Sequence, residues 1–150
     1  ACAVFQGRVV ACGGVQSRRD VVDLRHIIMN SVEAYDHAAD SWKLLPSMVE
    51  RRWMHKSVAV KNKLFVVGGW NNTDCEVFDG SNFVLLRPPV SLAARLKLTY
   101  GLVGVGGRLV VFSRGNSVFY CNVANFEWLE REFAAVDGVD RYSCARLPKF

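Results

Sequence analysis

Apolar residues in this chain are grouped in short runs, and each run is bounded by a polar turn or by glycine. The pattern is clearest at residues 58–70, where two apolar runs flank the polar turn Lys61-Asn62-Lys63. Because β-branched and aromatic residues favour a pleated, half-buried surface, these runs predict two antiparallel strands joined by a tight turn. Gly68 and Gly69 follow the second run, and the absence of a Cβ there permits positive φ and close backbone approach.

The same pattern recurs along the chain, which gives it much more weight than a single occurrence would have. Residues 7–14, 62–69 and 107–114 can be superimposed as a turn, a basic residue and an apolar strand. These basic residues, Arg8, Lys63 and Arg108, are separated by 55 and then by 45 positions. In the third segment Ser113-Arg114 stands in place of the two glycines. An internal repeat of this period is typical of solenoids and propellers.

Two further elements recur inside each repeat. Residues 31–36, 74–79 and 117–122 read as a strand with one solvated face, and each ends in a side chain that can bond the backbone two residues on. A fourth short strand then carries an aromatic residue. These strand-ending residues are Asp36, Asp79 and Asn122, and the aromatic residues are Trp42, Phe83 and Trp128.

The repeating unit is therefore four short strands in about 45 to 55 residues, which predicts an all-β fold, a partial β-propeller of about three four-stranded antiparallel blades. The predicted blades are residues 1–48, incomplete at the start, 52–89 and 97–131, with 141–150 as the beginning of a further blade. Glycine, asparagine and proline interrupt any helical period, except that residues 20–28 could form a single helical turn. Three blades do not close a ring, so we expect a portion of a longer protein.

The motif elements resemble kelch repeats. They are the paired glycines, the strand Val32-Glu33-Ala34-Tyr35-Asp36, Trp42, and Pro46 followed by Arg52. The resemblance covers nearly all of the chain, and residues 31–48 especially resemble the blades of BTB–kelch (kelch-like) proteins. It implies a ring of about six blades, of which this chain holds half. The second blade departs from the pattern with Phe83 in place of tryptophan, and the third lacks the two glycines.

The resemblance also implies a function, the capture of a protein substrate for ubiquitination. In BTB–kelch proteins the propeller is the substrate-recognition half of an adaptor for cullin-RING E3 ubiquitin ligases. A BTB region outside this chain would hold the cullin and form the homodimer. The alternative is a kelch protein that binds actin or the cytoskeleton without a ligase role.

Composition narrows these expectations only a little. With 150 residues, 51% hydrophobic and 22% charged, the chain can bury the core of one ordinary domain, and no apolar run is long enough to span a membrane. The net charge of +5 is spread along the chain, which fits either an acidic partner or a solvated basic surface, and we predict no nucleic-acid partner. Five cysteines without a C-x-x-C spacing indicate a reduced, cytoplasmic protein.

No catalytic constellation is recognisable in the sequence. His26, His37 and His55 lack the spacing of metal ligands, and no serine or cysteine has the local motif of an activated nucleophile. We therefore predict no enzyme activity, no metal and no cofactor.

Surface loops remain as the place for function. In a kelch propeller, the loops after the second strand and the connectors between blades gather on one face, and loops on a rigid scaffold often carry binding. Here they are residues 15–30, 70–73 and 114–116, with connectors 49–53, 90–96 and 134–140. The predicted protein-binding residues on this face are Trp70, Asn71, Asn72, Arg51, Arg52, Trp53, His55, Arg18, Arg19, Arg25, Arg95 and Tyr100.

Each of these candidates has a structural alternative that the sequence leaves open. Trp70 follows two glycines and is either an exposed interface anchor or packed under a neighbouring loop. The arginines either recognise an acidic segment of a partner or bridge adjacent blades. His55 and Tyr100, with Cys144, occupy equivalent places on successive inner strands and are expected to line the mouth of a central channel.

Overall fold

The computed structural model of the chain describes residues 1–16, 27–70, 72–96, 99–113 and 117–132. Within these ranges the backbone forms short strands and one helix. The strands are β1 (Cys2–Phe5), β2 (Arg8–Gln16), β3 (Ile27–Asp36), β4 (Ser41–Leu45), β5 (Lys56–Val60), β6 (Lys63–Val67), β7 (Cys75–Phe78), β8 (Phe83–Leu86), β9 (Thr99–Val105), β10 (Arg108–Ser113), β11 (Ser117–Asn122) and β12 (Trp128–Glu132), and helix α1 (Val90–Leu96) lies between β8 and β9.

The strands form three antiparallel sheets of four, in the orders β1-β2-β3-β4, β5-β6-β7-β8 and β9-β10-β11-β12. We call these sheets blade 1, blade 2 and blade 3. Each strand pairs with its neighbour in sequence, and the first two strands of each blade are joined by a turn of two residues. In blade 2 this turn is the predicted one, with Lys61 at a φ of 54°. The predicted all-β architecture of propeller blades is confirmed.

The polar residue that ends the third strand of each blade forms the turn that the sequence predicts. Asp36 Oδ1 accepts a hydrogen bond from the backbone N–H of Ala38 at 3.1 Å. Asp79 does the same with Ser81 at 2.8 Å, and the Asn122 side chain with Ala124 at 3.0 Å. The side chain thus imitates a backbone turn and leads the chain into the outermost strand.

Side chains alternate across blade 2, so this sheet packs against a neighbour on both faces. Leu64 and Val66 of β6 join a buried cluster with blade 1, to which Met48 of the connector also belongs. Phe65 and Val67 face the other way and join a buried cluster with blade 3. We call the first contact region junction 1–2 and the second junction 2–3. Together they hold most of the buried apolar side chains of the described residues.

Two details of the secondary structure differ from the sequence prediction. The connector at residues 90–96, expected as a loop, is helix α1, which begins after two prolines and buries Leu92 and Leu96 on one side. The backbone N–H groups of Leu92 and Ala93 both bond to the Pro89 carbonyl. Alanine, leucine and arginine favour a helix, and the spacing of four residues places both leucines in the cluster of junction 2–3.

The first loop is also shorter than expected at both ends. Strand β2 continues past the two glycines to Gln16 with a register shift between Cys12 and Gly14, and β3 already begins at Ile27. The predicted helical turn over residues 20–28 therefore ends in strand, and residues 20–26 of it lie outside the described residues. No helix in the described ranges is long and apolar enough to cross a membrane.

Candidate functional site

Four of the predicted binding residues lie together where the first connector meets the loop after β6. The backbone N–H of Trp70 bonds to the Trp53 carbonyl at 3.0 Å, and the ring centroids of these tryptophans lie 6.0 Å apart at 58°. Asn72 Nδ2 donates to the Arg51 carbonyl at 2.9 Å. We call Arg51, Trp53, Trp70 and Asn72 the loop cluster.

The two loops of this cluster meet because Gly69 has no side chain. A Cβ at position 69 would lie 2.9 Å from the Trp53 carbonyl oxygen and 3.2 Å from the Cβ of His55. Its φ of +113° is also one that other residues rarely adopt. The Asn72 N–H then closes the loop on the Gly69 carbonyl at 3.1 Å. The second glycine of the repeat is thus the reason that Trp70 can be placed on Trp53.

The cluster carries an apolar surface. Trp70 is 54% exposed although its ring contacts Trp53, so this residue is both packed and accessible. Met54, the next residue after Trp53, is 65% exposed and has a φ of 56°. A left-handed conformation is uncommon for a residue other than glycine, asparagine or aspartate. The turn at Met54 places its side chain in solvent while His55 is directed into the interior.

Arg52 lies elsewhere than on the surface. Its side chain is completely buried, and Nε donates to Glu76 Oε1 at 2.9 Å. Nη1 donates to the carbonyls of Gly68 and Asp74 at 2.8 and 2.9 Å. The Arg52 backbone is bonded to blade 1, whereas its side chain is bonded to blade 2. This is the bridging role that the sequence left open, and in this structure Arg52 is not available to a partner.

Glu76 holds the connector together with Arg52. Its carboxylate also accepts the backbone N–H groups of Val49 and Glu50, at 2.6 and 3.1 Å. Both members of the ion pair are fully buried, and the hydrogen bonds made by Nε and Nη1 of Arg52 and by the Glu76 carboxylate offset part of the cost of removing these charges from water. The loop cluster follows directly on this anchor, because Arg51 and Trp53 flank Arg52 in the chain.

His55 is buried in junction 1–2 and does not line an open channel mouth. Only 4% of it is exposed, and a Cβ on Gly13 would lie 2.9 Å from its Cε1 atom. Burial and the nearby Arg52 guanidinium lower the pKa of His55 to about 3. The imidazole is therefore neutral at physiological pH, because a charge here would have to be removed from water.

The remaining predicted residues do not join the loop cluster in the described part of the chain. Arg95 is exposed on helix α1, where it forms an ion pair with Glu130 and lies 6.0 Å from the Phe119 ring centroid. Tyr100 belongs to β9, and its side chain is not described. Arg18, Arg19, Arg25 and Asn71 lie outside the described residues.

Sequence reasoning missed two residues of this region. Glu76 interrupts an otherwise apolar strand, and a buried carboxylate needs a cation, so its position was a signal for a partner such as Arg52. Met54 gave no signal, since a lone methionine in a connector has many possible roles. The exposure of Met54 follows from its left-handed backbone conformation, which the sequence does not predict.

The buried cysteines of the described residues are protected from reaction. Burial raises the pKa of Cys12 to about 11 and that of Cys121 to about 12, so both thiols are protonated and unreactive. Within the described ranges, no three histidine, cysteine or acidic side chains converge as a metal site would require. Toward solvent the region presents Trp70 and the connector residues Val49, Glu50, Arg51 and Met54, with Trp53 half-buried against Trp70.

Comparisons with known proteins agree with this architecture. The Kelch motif family matches residues 1–49, which is the part that forms blade 1. Kelch-like protein 7 of chicken and of human are each 48% identical over 44 residues, covering 29% of this chain but 8% of the relative's length. The solved structure of YjhT can be superimposed on this chain with a TM-score of 0.67, and the match covers 93% of this chain and 52% of the YjhT chain. The sequence identity is 16%, so the match shows a shared fold.

Proposed function

We propose that this chain, a set of kelch-repeat propeller blades, captures a partner protein through the face that carries the loop cluster. The observation that carries the proposal is the aromatic pair: Trp70 is half-exposed, yet its backbone is bonded to Trp53 and its loop to Arg51. A large aromatic side chain held rigidly at the surface loses little entropy on binding, which is why such residues dominate interface energetics. Capture without covalent chemistry also fits the buried, protonated thiols.

The finer proposal is that the captured protein is a substrate for ubiquitination. It is supported by the resemblance of residues 31–48 to BTB–kelch blades and by the match to Kelch-like protein 7. A BTB region outside this chain would bind the cullin and form the homodimer, and the protein would act in the cytoplasm. Ubiquitin would be transferred by the associated ligase and by none of the residues described above.

Affinity capture with the full-length protein tests the first part of the proposal. Trp70→Ala should reduce partner recovery by more than about tenfold, because it removes the centre of the exposed surface. Leu44→Ala is the matched control, since Leu44 is 76% exposed but lies on the outermost strand of blade 1. Equal recovery by wild type and both variants would contradict binding at the loop cluster. Arg52→Ala is unsuitable here, because Arg52 is part of the buried packing.

The ligase role needs a separate measurement. If the protein is an adaptor, the same capture should contain a cullin, and Trp70→Ala should lose the substrate while it keeps the cullin. If instead the protein cosediments with filamentous actin in a Trp70-dependent way and recovers no cullin, the cytoskeletal alternative is correct.

A further inference from the structure

We propose that one face of blade 1 is a docking surface for a further blade of the same protein, and that Glu33 on this face receives an arginine from the connector of that blade. The face is the one directed away from blade 2, and it shares no residue with the loop cluster. Its groups repeat, in kind and in position, those of the blade 2 face that packs against blade 1.

Successive side chains along a strand point to opposite faces of a sheet, so blade 1 has two faces. Val10, Cys12 and Val32 point toward blade 2 and are buried in junction 1–2. The side chains that alternate with them point the other way, and several of these are exposed in the described part of the chain. We call this side the outer face of blade 1, and it carries Val4, Val9, Ala11, Glu33, Tyr35 and Trp42.

Glu33 occupies the place in blade 1 that Glu76 occupies in blade 2. Each glutamate is paired with the fourth residue of the second strand of its blade, Glu33 with Ala11 and Glu76 with Val66. The Glu76 carboxylate accepts hydrogen bonds from Arg52 and from two backbone N–H groups of the connector. The half-buried Glu33 carboxylate, in contrast, takes part in none of the ion pairs among the described residues. It is an equivalent acceptor whose partner is still to be assigned.

An aromatic pair accompanies the glutamate on both faces. In blade 1, Tyr35 is opposite Trp42, with ring centroids 5.4 Å apart. In blade 2, Phe78 is opposite Phe83, with ring centroids 4.8 Å apart. Blade 1 covers the second pair, because the Phe5 ring meets Phe78 edge-on at 5.7 Å and Phe83 is buried. The outer face thus combines an acid and an aromatic pair in the arrangement that packs against a blade at junction 1–2.

The residue at the place of the glutamate indicates what the opposing connector carries. At junction 1–2 this residue is Glu76, and the connector supplies Arg52. At junction 2–3 it is Phe119, paired with the fourth residue of β10, and the connector supplies Leu96. An acid is matched by a guanidinium and an aromatic ring by an aliphatic chain, because a buried carboxylate without a cation is costly. Glu33 follows the first pattern, so its connector should carry an arginine.

Such an arginine belongs to a connector that another blade holds in place. The backbone of Arg52 is bonded to blade 1 while its side chain reaches blade 2. By the same relation, the connector that leads into blade 1 would lie on a blade that packs against the outer face. The match to YjhT covers 52% of that chain, so nearly half of a polypeptide with the same fold lies beyond the match and has room for further blades. We therefore assign the docked blade to the same polypeptide.

Footprinting of the full-length protein with hydroxyl radicals tests whether the outer face is covered. Trp42 and Trp70 are similarly exposed in the structure, at 49% and 54%, so they form a matched pair. If a blade packs on the outer face, Trp42 should be oxidised at least about tenfold more slowly than Trp70, because close packing excludes the reagent. Equal rates would show that the face is open and would overturn the docking. Protection of Trp42 that disappears on dilution would assign the face to a second copy instead.

Variants at Glu33 of the full-length protein test the arginine. Glu33→Ala should lower the denaturant midpoint about as much as Glu76→Ala, because each change leaves a buried guanidinium without its carboxylate. Glu33→Phe, which copies Phe119 of blade 3, should lower the midpoint as well. Glu127→Ala, a change at an exposed glutamate of blade 3, is the control and should leave the midpoint unchanged.

The outcomes distinguish an arginine from other occupants. If Trp42 is protected but Glu33→Phe keeps or raises the midpoint, the docked connector is apolar, as at junction 2–3, and the arginine is wrong. If Glu33→Ala is as harmless as Glu127→Ala, the Glu33 carboxylate is solvated and the pairing is wrong. Should Glu33→Ala fail to fold, Glu33→Gln decides, because it keeps the acceptor for backbone N–H groups but removes the charge. A midpoint for Glu33→Gln equal to that of wild type would also exclude the arginine.

Discussion

Junction 1–2 and junction 2–3 occupy equivalent places between blades, but one is built around a buried ion pair and the other around apolar side chains. Glu76 lies opposite Val66 in the blade 2 ladder, and Phe119 lies opposite Val111 at the same place in blade 3. Both face the connector that arrives from the preceding blade. At junction 1–2 that connector supplies Arg52, whereas at junction 2–3 it supplies the fully buried Leu96.

The glycines confirm that Arg52 and Leu96 are counterparts. A Cβ on Gly13 would lie 2.7 Å from the Arg52 carbonyl oxygen, and a Cβ on Gly68 would lie 2.2 Å from the Leu96 carbonyl oxygen. The equivalence of His55 and Tyr100 that the sequence predicts would instead pair Arg52 with Lys97, one residue after Leu96. The register shift between Phe112 and Ser113 in blade 3 is the local irregularity that accompanies this difference.

The fold itself does not require the ion pair. Phe119 and Leu96 close junction 2–3 without it, and helix α1 fills the remaining volume with Leu92. The ion pair fixes the orientation of the connector, because Arg52 and Glu76 hold it through hydrogen bonds of defined geometry. The loop cluster lies on the connector that is fixed in this way, which suggests that polar anchoring serves the precision of the binding surface.

Both junctions share a close approach between a glycine and the preceding connector, and its loss should be the most damaging change. Gly68→Val should destabilise the protein by more than about 4 kcal/mol, because the new Cβ meets the Leu96 carbonyl and the φ of +65° disfavours a branched residue. Denaturant unfolding measures the loss. Gly7→Ala is the control, with a φ of +73° but no atom within 4 Å of the added Cβ. Equal losses for the two variants would show that backbone strain, not the contact, decides the effect.

The next effect sharpens the contrast between the junctions themselves. Glu76→Ala should cost about 3–5 kcal/mol, since it leaves the Arg52 guanidinium buried without its carboxylate. The double variant Arg52→Leu/Glu76→Phe copies the chemistry of junction 2–3 and should recover most of this loss in a double-mutant cycle. If the double variant is no more stable than Glu76→Ala alone, the two junctions differ in shape as well as in chemistry.

Acid should weaken junction 1–2 through His55. The unfolded histidine has a pKa near 6.5, whereas the folded one has a pKa of about 3. Above pH 6.5 the His55 imidazole is neutral in both the folded and the unfolded state, so it does not change stability. Below pH 6.5 the imidazole binds a proton in the unfolded chain but stays neutral in the folded one. Stability should therefore fall by up to about 1.4 kcal/mol per pH unit between about pH 6 and pH 3.

The measurement compares the pH dependence of unfolding in wild type and His55→Leu. The variant should lose the part of the slope that His55 supplies, and His37→Gln, a change at an exposed histidine, is the control. Identical slopes in wild type and His55→Leu would mean that the imidazole reaches water on protonation.

The smallest effect is expected at the rim of junction 2–3. Arg95→Ala removes an exposed ion pair with Glu130 and should cost less than about 1 kcal/mol. A loss as large as that of Glu76→Ala would show that the helix depends on Arg95 for its place, and the junctions would then be more alike than their burial indicates.

Much of the fold was readable from the sequence because each blade repeats its own local signals. The turns at Asp36, Asp79 and Asn122 and the four-strand units are short-range features, and the structure confirms them. Helix α1 was missed because the sequence analysis predicted all of the connectors between blades to be loops. Seven residues are also too few for a helical period to stand out.

The site was only partly predictable, for reasons of distance along the chain. The pairing of Arg52 with Glu76 joins residues 24 positions apart, and no local pattern tells a buried arginine from an exposed one. The contact of Trp53 with Trp70 likewise depends on how two loops are placed by different blades. Local signals could nominate these residues, but only packing decided which of them face water.

Three cysteines at the junctions can report when neighbouring blades separate. Cys12 lies in the cluster of junction 1–2, while Cys75 and Cys121 lie in that of junction 2–3, and all three are inaccessible. A thiol reagent can therefore modify each one only when its own junction opens, whereas the exposed Cys2 should react at once. The order in which their masses shift would reveal which of the two interfaces parts first.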